Sequence, residues 1–381
     1  MLKSLTINNF RCFQSFELQQ LSRVNLLVGM NNSGKTSILE AIQLLYSVYQ
    51  PETLHKIMSY RGEFLLKEGS RQLDIRHLFY GREISLGSEF SLVGTNDKYQ
   101  ESLVGSIQVD SPNELYEQKN LLDSSEGFSS EFDNSEEISV ELYQLEDIFF
   151  DLDWKKEEVS IRRRLSPDGG IDIRIPRSSR ITTKAVIKSQ FITPLSLDID
   201  EITQLFDEIV LTPEEILTLE ALQIIEPKIE RIASIGPEKY GSNIRIVRGR
   251  SGFIVKVSDQ EKPIPIGSMG EGIWRILALA IALVSAQGGV LLVDEIDTGL
   301  HFSTMSDMWK LIWKTAKKLD VQVFATTHNS DCWSSLADVI KSEDLEGEEI
   351  TIHRIETDKN SSVVFTEPQI VIAAKREIEV R

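Results

Sequence analysis

One glycine-rich segment, Gly29–Thr36, constrains this chain more than any other feature. It reads G-M-N-N-S-G-K-T and matches the phosphate-loop pattern G-x-x-x-x-G-K-[ST] in full. The apolar run Val24–Val28 before it predicts a buried strand, and Ile38 and Ile42 after it share one face of a helix over 36–48. A glycine loop between a strand and a helix N-terminus presents backbone N–H groups and the helix dipole to an anion. The segment therefore predicts a phosphate site in an α/β fold.

The residue types in this loop predict ATP and Mg²⁺ as cofactors. Gly29 and Gly34 let the backbone approach phosphate without a Cβ clash. Lys35 would reach the β- and γ-phosphates, and the hydroxyl of Thr36 would hold Mg²⁺. An ordinary Gly/Asn turn is the alternative. The predicted nucleotide-binding residues of the loop are Asn31, Asn32, Ser33, Gly34, Lys35, Thr36 and Ser37.

A second short apolar run, Val290–Val293, enters the acid pair Asp294 and Glu295. Buried parallel strands end in this way at the active edge of a sheet. Asp294 is predicted to act on Mg²⁺ and Glu295 to orient or deprotonate the attacking water, because hydrolysis of a phosphoanhydride depends on positioning and charge neutralisation. The alternative is an acid pair at a helix N-cap on a solvated loop.

The segment Gly267–Gly272, here called the second glycine turn, precedes a helix with the apolar run 276–284. Such a turn offers another set of amide donors for phosphate. We expect Ser268, Gly270 and Glu271 to cap a nucleotide held by a neighbouring subunit, since the chain already has one phosphate loop. A plain N-cap at Ser268 is the alternative.

Taken together, these segments resemble an ABC-type ATPase head. The Gly299-Leu300-His301 turn and Thr326-Thr327-His328, which follows a predicted strand over 321–325, are similar to the OLD family of ATPases, relatives of RecF and of the SMC-type DNA-repair heads. The resemblance covers residues 1–50 and about 190–335. It implies an α/β fold with a mixed central sheet flanked by helices and an inserted, partly acidic region.

The resemblance also implies site roles and partners. Glu295 and His328 would be catalytic, with His328 sensing the γ-phosphate, and Thr36 and Asp294 would hold the metal. The chain would form a homodimer or a higher homo-oligomer with ATP at the interface. The sequence departs from the family in having no clear Q-loop glutamine and no long coiled coil. Many OLD proteins carry a Toprim nuclease after the ATPase head, and we expect none in this chain.

The middle of the chain contains an acidic block followed by a basic block. Residues 110–153 hold 14 acids against one base, and residues 155–188 hold ten bases against four acids. In this second, basic block the charged residues alternate with apolar residues, as in strands with one charged face. The basic block could track a phosphate backbone, or it could be a solvated face neutralised by the acidic segment. We predict a first ATPase lobe over 1–95, an insertion over 96–190 and a third part over 191–381.

Composition argues against several classes of protein. The net charge of −18 argues against broad affinity for nucleic acid, and the two cysteines form neither a disulfide framework nor a metal cluster. Residues 276–293 are mostly apolar, but Gly288 and Gly289 divide them into a helix and a strand. A cytoplasmic protein without a membrane segment or a leader is expected.

The sequence is compatible with three functions. The first is an ATP-hydrolysing subunit whose ATP-driven dimerisation controls a nucleic-acid-directed partner, a separate nuclease or another effector in bacterial phage defence. The second is a RecF-like DNA-repair ATPase that binds DNA itself. The third is an ATP-locked scaffold or sensor that holds a toxin inactive.

Overall fold

The computed structural model describes residues 1–48, 50, 52–65, 72–109, 148–172, 187–195, 199–235, 252–343 and 349–380. The strands in these residues are β1 Leu2–Phe10, β2 Phe13–Leu18, β3 Val24–Val28, β4 Gln72–Asp74, β5 Glu89–Asn96, β6 Gln100–Val109, β7 Ile148–Trp154, β8 Val159–Arg164, β9 Gly170–Asp172, β10 Ser189–Ile192, β11 Ile229–Ser234, β12 Phe253–Val257, β13 Ile264–Pro265, β14 Val290–Val293, β15 Gln322–Thr327, β16 Ile350–Arg354 and β17 Val363–Thr366. The α-helices are α1 Lys35–Leu45, α2 Glu52–Tyr60, α3 Ile199–Ile209, α4 Glu215–Gln223, α5 Glu271–Ser285, α6 Phe302–Leu319, α7 Ser330–Ser342 and α8 Glu367–Lys375.

A mixed sheet carries the predicted phosphate loop. Its six described strands run in the order β10-β14-β15-β3-β16-β17, and all neighbours are parallel except β16 and β17. Val28 of β3 pairs with Thr327 of β15, and Ala325 of β15 pairs with Val293 of β14. The carboxyl ends of these three strands therefore lie at one edge of the sheet, where α/β proteins bind ligands.

A second, antiparallel sheet has six described strands in the order β2-β1-β5-β6-β7-β8. The helix α1 lies between the two sheets and is buried from Ser37 to Leu45. One apolar cluster joins Leu5 and Phe90 of the antiparallel sheet, Ile42 of α1, and Leu292 of the mixed sheet. The tight packing of α1 holds its N-terminus, and with it the phosphate loop, in a fixed position.

The predicted fold class, an α/β protein with a mixed sheet flanked by helices, is confirmed. The strand at Val24–Val28 forms as predicted, whereas α1 ends at Leu45, three residues before the expected 48. The glycines at 288 and 289 separate α5 from β14 as expected. Among the described residues, no helix combines the length and the hydropathy that crossing a membrane requires.

One predicted helical region is partly wrong. The sequence over 200–234 has helical patterns, interrupted at 224–227, which predict helices; α3 and α4 lie there, but Ile229–Ser234 forms the strand β11. Pro227 disfavours helical geometry at the residue before it. The antiparallel partner of β11 is Phe253–Val257, and this pairing buries Ile229. The sequence over 244–257 predicts paired strands around Gly249–Gly252; the part before 252 lies outside the described residues.

The charged blocks are described in part. The acidic segment lies outside the described residues except for its end, Ile148–Trp154, which forms β7. In the basic block, β8 and β9 form strands, and residues 173–186 lie outside the described residues. The strands β6 to β8 pair with one another and, through β5, with β1. The proposed boundaries at 95 and 190 stay a prediction.

Candidate nucleotide site

The loop after β3 adopts a backbone that glycine makes accessible. Gly29 has φ of 147°, and a Cβ there would lie 2.5 Å from the carbonyl oxygen of Ile355. Gly34 caps α1 with φ of 95°, and a Cβ there would overlap the ring of Phe13. Larger residues would strain the backbone and collide at both places. Both glycines are therefore needed for the shape of the loop.

Lys35 lies at the start of α1 with its ammonium group turned back over the loop. Its Nζ donates to the carbonyl oxygens of Gly29 at 2.9 Å and Met30 at 2.8 Å. Partial burial lowers the pKa of Lys35, while the carboxylates of Asp294 and Glu295 oppose that effect. The ammonium group thus lies over the loop in the electrostatic field of both carboxylates, the predicted metal ligand Asp294 and the predicted catalytic Glu295.

The hydroxyl of Thr36 meets the end of β14 at the same edge. It donates to Oδ2 of Asp294 at 3.0 Å, and Thr326 Oγ1 donates to the other oxygen, Oδ1, at 2.6 Å. Asp294 is buried, with 7% of its surface exposed. A hydroxyl and a carboxylate are oxygen ligands of the kind that Mg²⁺ takes beside substrate phosphates. This pair fits the predicted metal site.

Glu295 follows with its side chain partly exposed towards His328. Its Oε1 lies 3.8 Å from Nδ1 of His328, and its backbone N–H donates to Thr326 Oγ1 at 2.8 Å. The φ of Glu295 is 47°, which is unusual for a residue with a Cβ. The structure therefore brings both predicted catalytic side chains to the edge where the loop begins.

The remaining loop residues divide into two groups. Asn31 and Asn32 are exposed, and Asn32 has φ of 65°. Ser33 and Ser37 are buried. Arg61 Nη2 donates to Ser37 Oγ at 3.5 Å, so this hydroxyl has a partner within the protein.

The second glycine turn is exposed at Ser268, Gly270 and Glu271. Gly270 is the N-cap of α5, which begins at Glu271. Gly270 has φ of 99°, and a Cβ there would meet nothing within 4 Å. A Cβ on Gly272 would lie 3.1 Å from the carbonyl oxygen of Gly299. The turn thus packs its helix against the 299 turn and leaves its own surface open.

Two buried charged groups near the site were not singled out from the sequence. Arg275 of α5 donates to the carbonyl oxygens of Asp294 at 3.0 Å and Glu295 at 2.9 Å, and burial lowers its pKa to about 10. Glu40 of α1 is held by Arg11 and Arg61, each at 2.6 Å. Single charges within apolar helices carry no motif, and only the helical period, which turns both residues inward, could have pointed to them.

The fold and this geometry define a nucleotide-binding α/β protein of the P-loop class. The AAA ATPase domain family, AAA_15, matches residues 1–332. The chain belongs to this family and is an ATPase.

Several proteins of known name are similar to this chain. The chain is 23% identical over 367 residues to an ATP/GTP phosphatase of Helicobacter pylori, covering 91% of this chain and 90% of the relative. It is 51% identical over 45 residues to the DNA replication and repair protein RecF of Rickettsia felis, which is 12% of each chain. A solved Smc head bound to the C-terminal winged-helix domain of ScpA has 16% identity and a TM-score of 0.45, over 96% of this chain and 97% of that one.

Proposed function

We propose that this chain binds ATP with Mg²⁺ between the phosphate loop and Asp294, and that pairing of two copies around ATP controls a nucleic-acid-directed partner. The observation that carries the site is the 3.0 Å contact between Thr36 and Asp294, which joins two segments far apart in the sequence. Loop amides, a lysine, a hydroxyl and two acids at one sheet edge are the groups that phosphoryl transfer to water requires.

Each side chain has a chemical task in this proposal. Lys35 exchanges its two loop carbonyls for the β- and γ-phosphates, which are stronger partners because they are charged. Thr36 and Asp294 would hold Mg²⁺, which would supply positive charge beside the phosphates. Glu295 orients the attacking water and accepts its proton. His328, whose Nδ1 lies 3.8 Å from Oε1 of Glu295, senses the γ-phosphate.

The second glycine turn is proposed to complete the site of another copy. Its surface at Ser268 and Gly270 is open, and so is that of the loop at Met30, which is 82% exposed. Two copies related by a two-fold axis would each present the turn to the partner's nucleotide. Binding ATP would then stabilise the pair, and hydrolysis would release it.

The finer assignment follows the OLD-type resemblance at Gly299–His301 and Thr326–His328. We propose a cytoplasmic ATPase that regulates a separate nuclease or another effector in bacterial phage defence. Co-purification of the protein with the products of neighbouring genes, with and without ATP, tests the effector. An effector that elutes only with the ATP-bound form supports the proposal, and a preparation with no co-eluting protein in either state opposes it.

A RecF-like role in DNA repair is the second candidate, and the local identity to RecF favours it. The strand β8 exposes Arg162 and Arg164, but Arg162 already donates to both oxygens of Asp151 at 2.9 Å. Duplex DNA that binds the ATP-loaded protein at low salt, and binds less well after Arg164→Glu, would favour this candidate.

Mixed variants test whether sites are shared between copies. Ser268→Glu puts a carboxylate on the second glycine turn without the strain that a substitution at Gly270 would add. We expect Ser268→Glu and Lys35→Ala to be inactive alone and to regain part of the ATPase activity when mixed, because one interface then has an intact loop opposite an intact turn. Ser258→Glu, the same change at another exposed serine, is the control. Mixed samples that stay inactive would oppose shared sites.

A further inference from the structure

Arg275 is a buried cation that hydrogen-bonds to the main chain at the ends of two strands. Nη1 donates to the carbonyl oxygen of Thr193 at 2.6 Å, and Nη2 donates to those of Asp294 at 3.0 Å and Glu295 at 2.9 Å. Only 2% of the residue is exposed. A buried charge is costly unless it is well bonded, so these carbonyls are held tightly.

The main chain of Glu295 needs such support. Its φ of 47° lies in the left-handed region, which is unfavourable for a residue with a Cβ. Conformations of this kind persist where the surroundings fix them. Thr326 Oγ1 accepts from the N–H of Glu295 at 2.8 Å, and Arg275 donates to its carbonyl oxygen. Both sides of the residue are therefore held, each by a different element.

The helix that carries Arg275 also carries the second glycine turn. Arg275 lies on α5, which begins at Glu271, within this turn. The close approach of Gly272 to the carbonyl oxygen of Gly299, at 3.1 Å from an added Cβ, packs the first turn of α5 against the segment that follows Glu295. A displacement of the turn would move the guanidinium group with it, since a packed helix shifts as a unit.

We propose that Arg275 is a positioning residue, which fixes the main chain of Glu295 and couples the second glycine turn to the placement of the Glu295 carboxylate within one chain. This inference rests on the proposed function, in which Glu295 activates water. Nη1 and Nη2 of Arg275 donate to main-chain carbonyl oxygens, so the residue would act through Glu295. Its loss should therefore lower kcat and leave nucleotide binding in place.

A double-mutant cycle tests the proposal. Steady-state ATP hydrolysis is measured for wild type, Arg275→Met, Glu295→Gln and the double variant, with ATP affinity from calorimetry. We expect Arg275→Met to lower kcat at least tenfold with KM within about threefold. Addition of Arg275→Met to Glu295→Gln should change kcat less than about twofold, because the carboxylate through which Arg275 acts is already gone.

Two controls separate positioning from folding. Leu283→Ala removes a buried side chain eight residues further along α5, and it should lower the melting temperature while kcat stays near that of wild type. Arg275→Lys keeps a donor to the carbonyls and should recover part of the lost kcat. If Arg275→Met does not fold, Arg275→Lys replaces it in the same cycle. We expect the kcat of Arg275→Lys to lie between the wild-type value and one tenth of that value.

The outcomes separate the positioning role of Arg275 from the proposed role of Glu295 in water activation. Multiplicative losses in the double variant, or a kcat of Arg275→Met within twofold of wild type, would overturn the inference alone. The same holds if Leu283→Ala lowers kcat as much as Arg275→Met does. A Glu295→Gln protein that hydrolyses ATP at the wild-type rate would overturn the proposed role of Glu295, and the inference with it.

Discussion

The hydroxyl of Thr36 donates a hydrogen bond to Oδ2 of Asp294 at 3.0 Å, although 258 positions separate the two residues in the chain. The strand β15 lies between β14, which Asp294 follows, and β3, which precedes the loop and α1. Thr326 of β15 donates to the other oxygen of the same carboxylate at 2.6 Å. A helix and a strand thus fix one carboxylate, and the fold sets its orientation.

The Thr36 hydroxyl should make ATP binding depend on Mg²⁺. Thr36→Val keeps the shape of the side chain and removes an oxygen ligand. Calorimetry should then give the variant nearly the same ATP affinity with Mg²⁺ as with a chelator, whereas wild type should bind more tightly with Mg²⁺. Thr36→Ser keeps the hydroxyl and should behave as wild type does. A Thr36→Val protein with full Mg²⁺ dependence would contradict the metal assignment.

The phosphate loop should tolerate no side chain at Gly34. Gly34→Ala meets both the cost of a left-handed backbone, roughly 1–2 kcal/mol, and overlap with Phe13, which adds roughly 1–3 kcal/mol. Gly288→Ala is the matched control, since Gly288 has φ of 72° but open space around it. Urea unfolding should show the larger loss for Gly34→Ala. Equal losses would mean that Phe13 moves aside freely.

Much of this site follows from the sequence because its parts have local signatures. The loop at Gly29–Thr36 and the acids after Val290–Val293 lie at the ends of apolar strands, and parallel pairing brings strand ends together. The strand at Ile229–Ser234 was not predicted from the sequence, because its partner strand begins at Phe253 and tertiary packing decides the pairing.

The supporting charges were also beyond sequence reasoning. Arg275 hydrogen-bonds to carbonyl oxygens, which every residue has, so nothing in the sequence identifies its partners. Glu40 resembles any acid on a helix until Arg11 and Arg61 are placed beside it. The candidate catalytic groups have recognisable spacing in the sequence, whereas the placement of the groups that hold them depends on the fold.

Removing Glu40 should destabilise the protein strongly. Its side chain is 2% exposed and Arg11 is 5% exposed, so Glu40→Ala would leave a buried guanidinium group short of a partner. Breaking such a buried pair costs roughly 3–5 kcal/mol. The exposed pair of Lys228 and Asp259 is the control, and Asp259→Ala should change the unfolding free energy little. Equal effects of the two changes would show that burial does not matter here.

Acid should destabilise the fold through His353 of β16. This residue is fully buried, and burial lowers its pKa to about 4 from 6.5. The unfolded chain therefore binds a proton more readily between these values, so stability is full above pH 6.5 and is lost as the pH falls towards 4. The loss from this group is roughly 3 kcal/mol at pH 4.

Comparison of wild type with His353→Gln tests this pH dependence. Glutamine retains hydrogen-bonding groups for Thr351 and Ser362, which contact the imidazole at 3.1 and 3.2 Å. Unfolding free energies measured from pH 7 to pH 4 should fall less steeply for the variant. Parallel curves would assign the acid sensitivity to other groups.

The position of α1 between two sheets has a consequence for how this ATPase can be divided. The indole Nε1 of Trp154 in β7 donates to the carbonyl oxygen of Leu44 at 3.3 Å, and the apolar core runs from Phe90 through Ile42 to Leu292. The antiparallel sheet covers one side of α1, and the mixed sheet covers the other. A fragment that lacks the antiparallel sheet would expose the apolar side chains of α1 that pack on it, so no smaller catalytic core can be cut from the chain along the boundary between the sheets.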